Sequence, residues 1–339
     1  MNIPYDPTQD IVQGVLLLVM LTPFIFTLLI ANLSLRTPEL RWLAYGLIAL
    51  LSVGFLMAGA LSLIAGQMYT QAASSLPPLP VAPNWSLLGI ASMGTGLVAL
   101  LVLTPSVRAL VGRLLPSLEP ANPLHSVSLS LAAFLVGLTA TQLALLGDLE
   151  ALADLNMPLG LAQIWAQGIG LTLVGLAGIG LGTRRNGRET AARLGLAPIR
   201  GRTLIVAAVS IVCFMALDLA WSQGWQRLDP QGLEAVSRVS KTLFGSLINL
   251  PGALSIGITA AISEEIIYRG ALLPRFGLLL TTALFAISHV QYGLSPAVVE
   301  VFIIGLALGL IRRRWDLTTC ILIHFGYNTL NLLLLPPQL

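Results

Sequence analysis

Apolar runs close to twenty residues long follow one another through this 339-residue chain, at roughly 11–33, 42–65, 86–106, 126–147, 158–182, 203–222, 250–273, 275–293, 296–311 and 317–335. About twenty apolar residues wound as an α-helix span the hydrocarbon core of a bilayer. Backbone polar groups inside that core must be satisfied within the chain, and a helix does this residue by residue. Only 10% of the residues are charged and 56% are hydrophobic, whereas a soluble domain carries about 25% charged residues. The expected fold is an all-α polytopic transmembrane helix bundle of about ten spans, with the bilayer as its solvent.

The charges that remain lie between the runs. The net charge is +3, and Lys241 is the only lysine among the 18 basic residues. Arginines in short connections orient membrane helices and are no signal for nucleic acid. With the N-terminus outside, alternation puts Arg36, Arg41, Arg108, Arg113, Arg184, Arg185, Arg188, Arg193, Arg200, Arg202, Arg275, Arg312, Arg313 and Arg314 inside, and leaves Arg227, Arg238 and Lys241 outside. That asymmetry predicts an even number of spans, with both termini outside. Asp148, Glu150 and Asp154 then fall outside as well. The start, MNIPYDPTQD, has no basic n-region and is not expected to be a cleaved signal peptide.

Two connections read as loops. Residues 66–85 are rich in Pro and Ser and are expected to be extended on the outside. Residues 183–202 are polar and basic; ETAARLGL within them reads as a short interfacial helix or as a solvated loop. Cys213 and Cys320 sit in apolar runs, form no disulfide framework and are expected to be buried as small hydrophobes.

Charges within a span are costly and mark function by default. Glu264-Glu265-Ile266-Ile267-Tyr268-Arg269 puts two carboxylates and an arginine in the seventh run. Glu265 and Arg269 are i and i+4 and can pair on one helix face. Glu264 points about 100° away and stays clear of that pair. Of the three histidines, His125 lies near Pro123 and reads as a surface residue, while His289 and His324 lie in spans. His324 and Asn328 are again i and i+4. Counting from Pro274, taken as the inside turn, Glu264 and His289 lie about 15 and 22 Å deep at 1.5 Å per residue, and His324, counted from Arg314, about 15 Å. The three groups therefore share one layer of the membrane.

EEIIYRG, FAISH and HFGYN, in this order, resemble the E-E-x-x-x-R, F-x-x-x-H and H-x-x-x-N/B motifs of CAAX prenyl endopeptidases and their bacterial relatives, the CPBP or abortive-infection family, which includes bacteriocin-processing members. The resemblance places an intramembrane protease core at residues 245–339 and leaves 1–244 as an N-terminal transmembrane region of undefined role. It implies that Glu264 and His289 activate water, that His324 and Asn328 hold the oxyanion, and that Glu265, Arg269 and Phe285 support the site. The substrate implied is a membrane-associated peptide or protein. The family is often labelled metalloprotease, and a zinc ion, if used, would take Glu264, His289 and His324. Those three come from separate helices, and Asn328 is a poor zinc ligand but a good amide donor. The expectation is therefore a reaction without a cofactor. The arginine-rich, lysine-poor chain points to a bacterial plasma membrane.

Two other readings stand beside this one. Intramembrane Glu, His and Asp also build proton relays, and Asp218 and Glu300 could extend one in a proton-coupled transporter. A non-catalytic immunity or scaffold protein could keep the motifs for structure alone.

Overall fold

The computed structural model describes residues 7–72, 83–146 and 158–334. These residues are helical almost throughout, with no named strand among them. In order they form α1 (Pro7–Leu33), α2 (Leu40–Ala72), α3 (Trp85–Val102), α4 (Pro105–Leu114), α5 (Pro123–Leu146), α6 (Leu161–Ile179), α7 (Gly187–Leu194), α8 (Gly201–Leu228), α9 (Pro230–Phe244), α10 (Leu250–Glu264), a π-helical segment (Glu265–Leu272), α11 (Leu273–Ile287), α12 (Pro296–Arg314) and α13 (Leu317–Leu334).

Local chemistry sets the starts and stops. Asn84, Asp229 and Asn249 accept hydrogen bonds from the N–H groups of Leu87, Gly232 and Gly252, and a proline opens the first turn after Asp229 and Asn249. Asn186 and Glu189 form a reciprocal capping box at the start of α7, which ends on the left-handed Gly195. ETAARLGL thus belongs to a helix, not a solvated loop.

The helices beyond the motif region wall it in. α6 packs against α10 and the π-segment, α8 against α13, and α5 against α11. Close approach relies on missing side chains, as is usual where helices pack in lipid. A Cβ on Gly305 of α12 would come within 2.7 Å of the Phe285 ring, and one on Gly257 of α10 would strike Thr329 of α13. Outward faces stay apolar: Leu50, Met57 and Leu61 of α2 and Ile205, Val209 and Val212 of α8 are exposed. Such a surface suits acyl chains and not water.

Eight helical stretches are long and apolar enough to cross a membrane, where about ten were expected. The expected runs are largely helical, but the eighth ends at Ile287 and leaves His289 in the turn after α11; residues 250–287 form one continuous stretch, and α12 carries Glu300 and three arginines, too many charges for a span by composition. The turn expected at Pro274 lies at Gly277, the one non-helical residue of that stretch (φ 73°, ψ 177°). Glycine adopts that backbone freely because it has no Cβ. Measured from Gly277, Glu264 and His289 lie about 20 and 18 Å along their helices, a closer match than Pro274 gave.

Other expectations need correction. α2 runs on to Ala72, so the first part of the supposed 66–85 loop is helix, while residues 73–82 and the acidic Asp148, Glu150 and Asp154 lie outside the described residues. His125 is no surface residue: it is buried in α5, and its Nδ1 accepts the Glu119 N–H at 2.9 Å. Cys213 is exposed on α8, and only Cys320 is buried. α4 and α9 escaped notice because they are amphipathic, not apolar runs.

The arginines assigned to the inside meet at one end of the bundle. Arg36 donates to the Arg184 carbonyl (3.3 Å), Arg193 to Gly270 (3.2 Å) and Arg312 to Leu194 (2.9 Å). With that end inside, as the positive-inside rule requires, a cysteine replacing the exposed Arg188 in a Cys213→Ala background stays unlabelled by an impermeant maleimide in intact cells and labels after permeabilisation. Labelling before permeabilisation reverses the orientation.

Candidate active site

Glu265 ends its own search for partners inside the protein. It is fully buried, and its Oε1 accepts both Arg269 Nη1 and His324 Nδ1 at 2.8 Å. The i,i+4 pair read from the sequence is present. The bond to His324, 59 residues further on, had no local signal. Arg269 is equally enclosed: Nη2 donates to the Gly305 carbonyl at 3.1 Å, and the guanidinium lies 4.3 Å over the Phe285 ring. A planar, delocalised cation can satisfy all three contacts at once.

Phe285 also packs edge-on to Tyr268, His289 and His324, with centroids 5.2, 4.8 and 6.2 Å away. It thereby spaces the two histidines. His289 Nδ1 lies 2.8 Å from the Phe285 carbonyl. A carbonyl only accepts, so that nitrogen is the donor, and Nε2 is the lone-pair nitrogen of the neutral ring.

Glu264 sits one residue before the π-segment, at the last α-helical position of α10. The wider winding is confirmed by the Leu273 N–H, which bonds back to the Tyr268 carbonyl. Glu264 is one-fifth exposed, and its Oε2 faces His324 Nε2 across 3.9 Å. That oxygen has no hydrogen-bond partner. A buried carboxylate oxygen without a partner is costly in a packed interior. The other Glu265 oxygen is also unpartnered.

Glu264, His289, His324 and Asn328 all line one cavity of about 1010 Å³, with Tyr268 and Phe285. Its walls extend to α1, α5, α6 and α8, through residues such as Phe24, Leu135, Leu171 and Asp218. Glu265 and Arg269 stand behind this wall, where they fix His324 without meeting the cavity. Asp218 and Glu300, far apart in sequence, both line the same cavity, and Asn331 donates to Asp218.

No three His, Cys, Asp or Glu side chains among the described residues are grouped as a metal would need. His324 gives Nδ1 to Glu265 and turns Nε2 toward Glu264.

The fold and this cluster define a helical membrane protein with a buried polar cluster among its spans. Residues 239–330 match the family model of the type II CAAX prenyl endopeptidases, Rce1-like. The match takes in α10 and the π-segment, α11 and α12, and nearly all of α13, with every motif residue named above. No curated protein and no solved structure matches the chain significantly.

Proposed function

We propose that the protein is an intramembrane endopeptidase that hydrolyses a peptide bond of a membrane-associated peptide or protein. The observation that carries this is Glu264 Oε2, buried, without a partner, and facing His324 Nε2 across a gap of 3.9 Å on a large cavity. The match to an endopeptidase family over residues 239–330 supports it.

In this reading Glu264 and His289 Nε2 draw a proton from a water whose oxygen bonds to the scissile carbonyl carbon. The carbonyl electron pair moves onto oxygen, where His324 Nε2–H and the Asn328 amide hold it. Collapse breaks the C–N bond, and the proton first taken from water passes to the leaving amine. Because His324 Nδ1 donates to Glu265, Nε2 donates to the oxyanion when the ring carries both of its protons. Positioned acid–base groups contribute about 10²–10⁴ in rate, and each oxyanion donor about 10²–10³. The residues present supply every proton that moves, and no step passes through a metal. The arginine-rich, lysine-poor composition supports reading the enzyme as one of a bacterial plasma membrane.

In cells carrying Glu264→Ala in place of the intact protein, a membrane-associated peptide accumulates uncleaved in a comparison of membrane proteomes. Identical proteomes would overturn the reading. A proton-coupled carrier is favoured by one observation only, that the Asp218 and Glu300 carboxyls line the same cavity. Proton-driven uptake surviving Glu264→Gln would favour it.

A further inference from the structure

The inner end of the cavity carries charge that catalysis does not use. Arg184, Arg185, Arg193 and Arg275 all line it, and only Arg275 belongs to the segment matched by the protease family. They are held in place from different directions. Arg184 Nε donates to Asn32 Oδ1 at 2.8 Å, Arg185 to the Ile179 carbonyl, and Arg193 to the Gly270 carbonyl at 3.2 Å. The Arg275 backbone carbonyl is fixed by the Ser117 hydroxyl.

Each of these bonds uses part of a guanidinium, which has five N–H donors in all. None of the four forms an ion pair with a carboxylate among the described residues. Burial first, and then repulsion from Arg185, Arg193, Arg36 and Arg275, pulls Arg184 below the ordinary guanidinium range; Arg193, in the short α7, is depressed by burial and then by Arg275, Arg185 and Arg312. Like charges converged in this way call for an anion. Guanidinium forks match the oxygens of a phosphate in shape as well as charge.

The cavity wall beside these arginines is apolar. Leu28 of α1, Leu131 and Leu135 of α5, and Val174 of α6 continue from the charged end toward the membrane interior. A free phosphate would have no use for that slot, whereas an acyl chain would fill it. The same end of the bundle is the one assigned to the anionic inner leaflet.

We propose that Arg184, Arg185, Arg193 and Arg275 form a binding site for the phosphate of an anionic phospholipid, whose acyl chain lies along α1, α5 and α6. The site stands whether or not Glu264 breaks a bond, because its residues and its test are separate from catalysis.

The test uses the full-length protein purified in neutral detergent. Thermal melts are recorded with phosphatidylglycerol, phosphatidylcholine, dioleoylglycerol and inorganic phosphate. Phosphatidylglycerol raises the melting temperature at concentrations about tenfold or more below phosphatidylcholine, and dioleoylglycerol has no effect. Arg184→Gln with Arg193→Gln raises the half-saturating concentration of phosphatidylglycerol about tenfold or more, the scale expected for lost charge-assisted hydrogen bonds. Arg275→Gln moves it in the same direction and, since that side chain is exposed, decides the matter if the double variant does not fold. Equal response to the two phospholipids, or unchanged half-saturation in the variants, would overturn the site. A full shift with inorganic phosphate alone would overturn the lipid and make the ligand a soluble phosphate compound.

Discussion

Glu264→Gln leaves folded protein in the membrane and removes turnover, by about 10³-fold or more. The amide keeps the size of the side chain and takes away the group that receives a proton from water, which is worth about 10²–10⁴ on its own. Folding is spared because Glu264 Oε2 has no hydrogen-bond partner to lose. His289→Ala acts in the same direction: its ring contributes an edge contact to Phe285 and a bond to a carbonyl one turn away, so the chemistry suffers more than the packing. Purified enzyme and a cleavable membrane peptide provide the measurement, with elemental analysis of the same preparation and an assay after chelation. Activity that survives chelation agrees with the residue-only mechanism. Near-normal turnover in Glu264→Gln would remove it as the base. One zinc per chain, with activity lost to chelator and restored by zinc alone, would replace the mechanism by one in which Glu264, His289 and His324 are ligands.

Arg269→Ala has the opposite profile, with little folded protein to assay. The substitution strips Glu265, fully buried, of its cation, leaves the Gly305 carbonyl without its donor and opens a space against Phe285. Breaking one side of a buried pair costs about 3–5 kcal/mol, a large share of the about 5–15 kcal/mol that holds a typical domain together. Arg269→Lys recovers only part of the loss, because an ammonium cannot bridge Glu265 and Gly305 while lying flat on the ring. Adding Glu265→Gln to Arg269→Ala restores some folded protein by removing the stranded charge, but not activity, since His324 then lacks the carboxylate that orients it. Fluorescence-monitored gel filtration and melting of the solubilised protein provide the comparison. An Arg269→Ala protein as abundant and as heat-resistant as the parent would show the pair to be dispensable.

Much of this site was legible because its decisive spacings are short. Glu265 and Arg269 lie within one helical turn, so period alone paired them, and it left Glu264 apart. Counting rise per residue from the nearest turn brought Glu264, His289 and His324 to one depth before any packing was known. The misplaced turn shows the limit of such counting: proline at 274 draws attention as a helix breaker, yet it is accommodated in a first turn, and the glycine three residues later takes the bend. Contacts between distant segments left no trace. The Glu265–His324 bond joins two helices by way of a side-chain rotamer, and the Gly305 carbonyl that receives Arg269 is backbone, the same in every sequence. His125 was misread because a loop-like neighbourhood of prolines concealed the start of α5. The inner arginines were read one by one as orientation signals; only the packing of α6 and α7 against the π-segment gathers them.

The π-helical turn at Glu265–Leu272 also fixes how this gene segment can change in length. A π turn is an α-helix with a residue to spare, and such turns recur at functional sites. Removing one residue between 266 and 268 would let the winding relax to the ordinary α form. Arg269 and all that follows would keep nearly their present facing, because the residue removed is the one the turn has to spare. The helix would lose nothing in hydrogen bonding, and Glu265 and the arginine, then three residues apart, would still share a face. A one-residue deletion is therefore the length change this stretch absorbs most readily, while an insertion would have to widen a turn that is already wide.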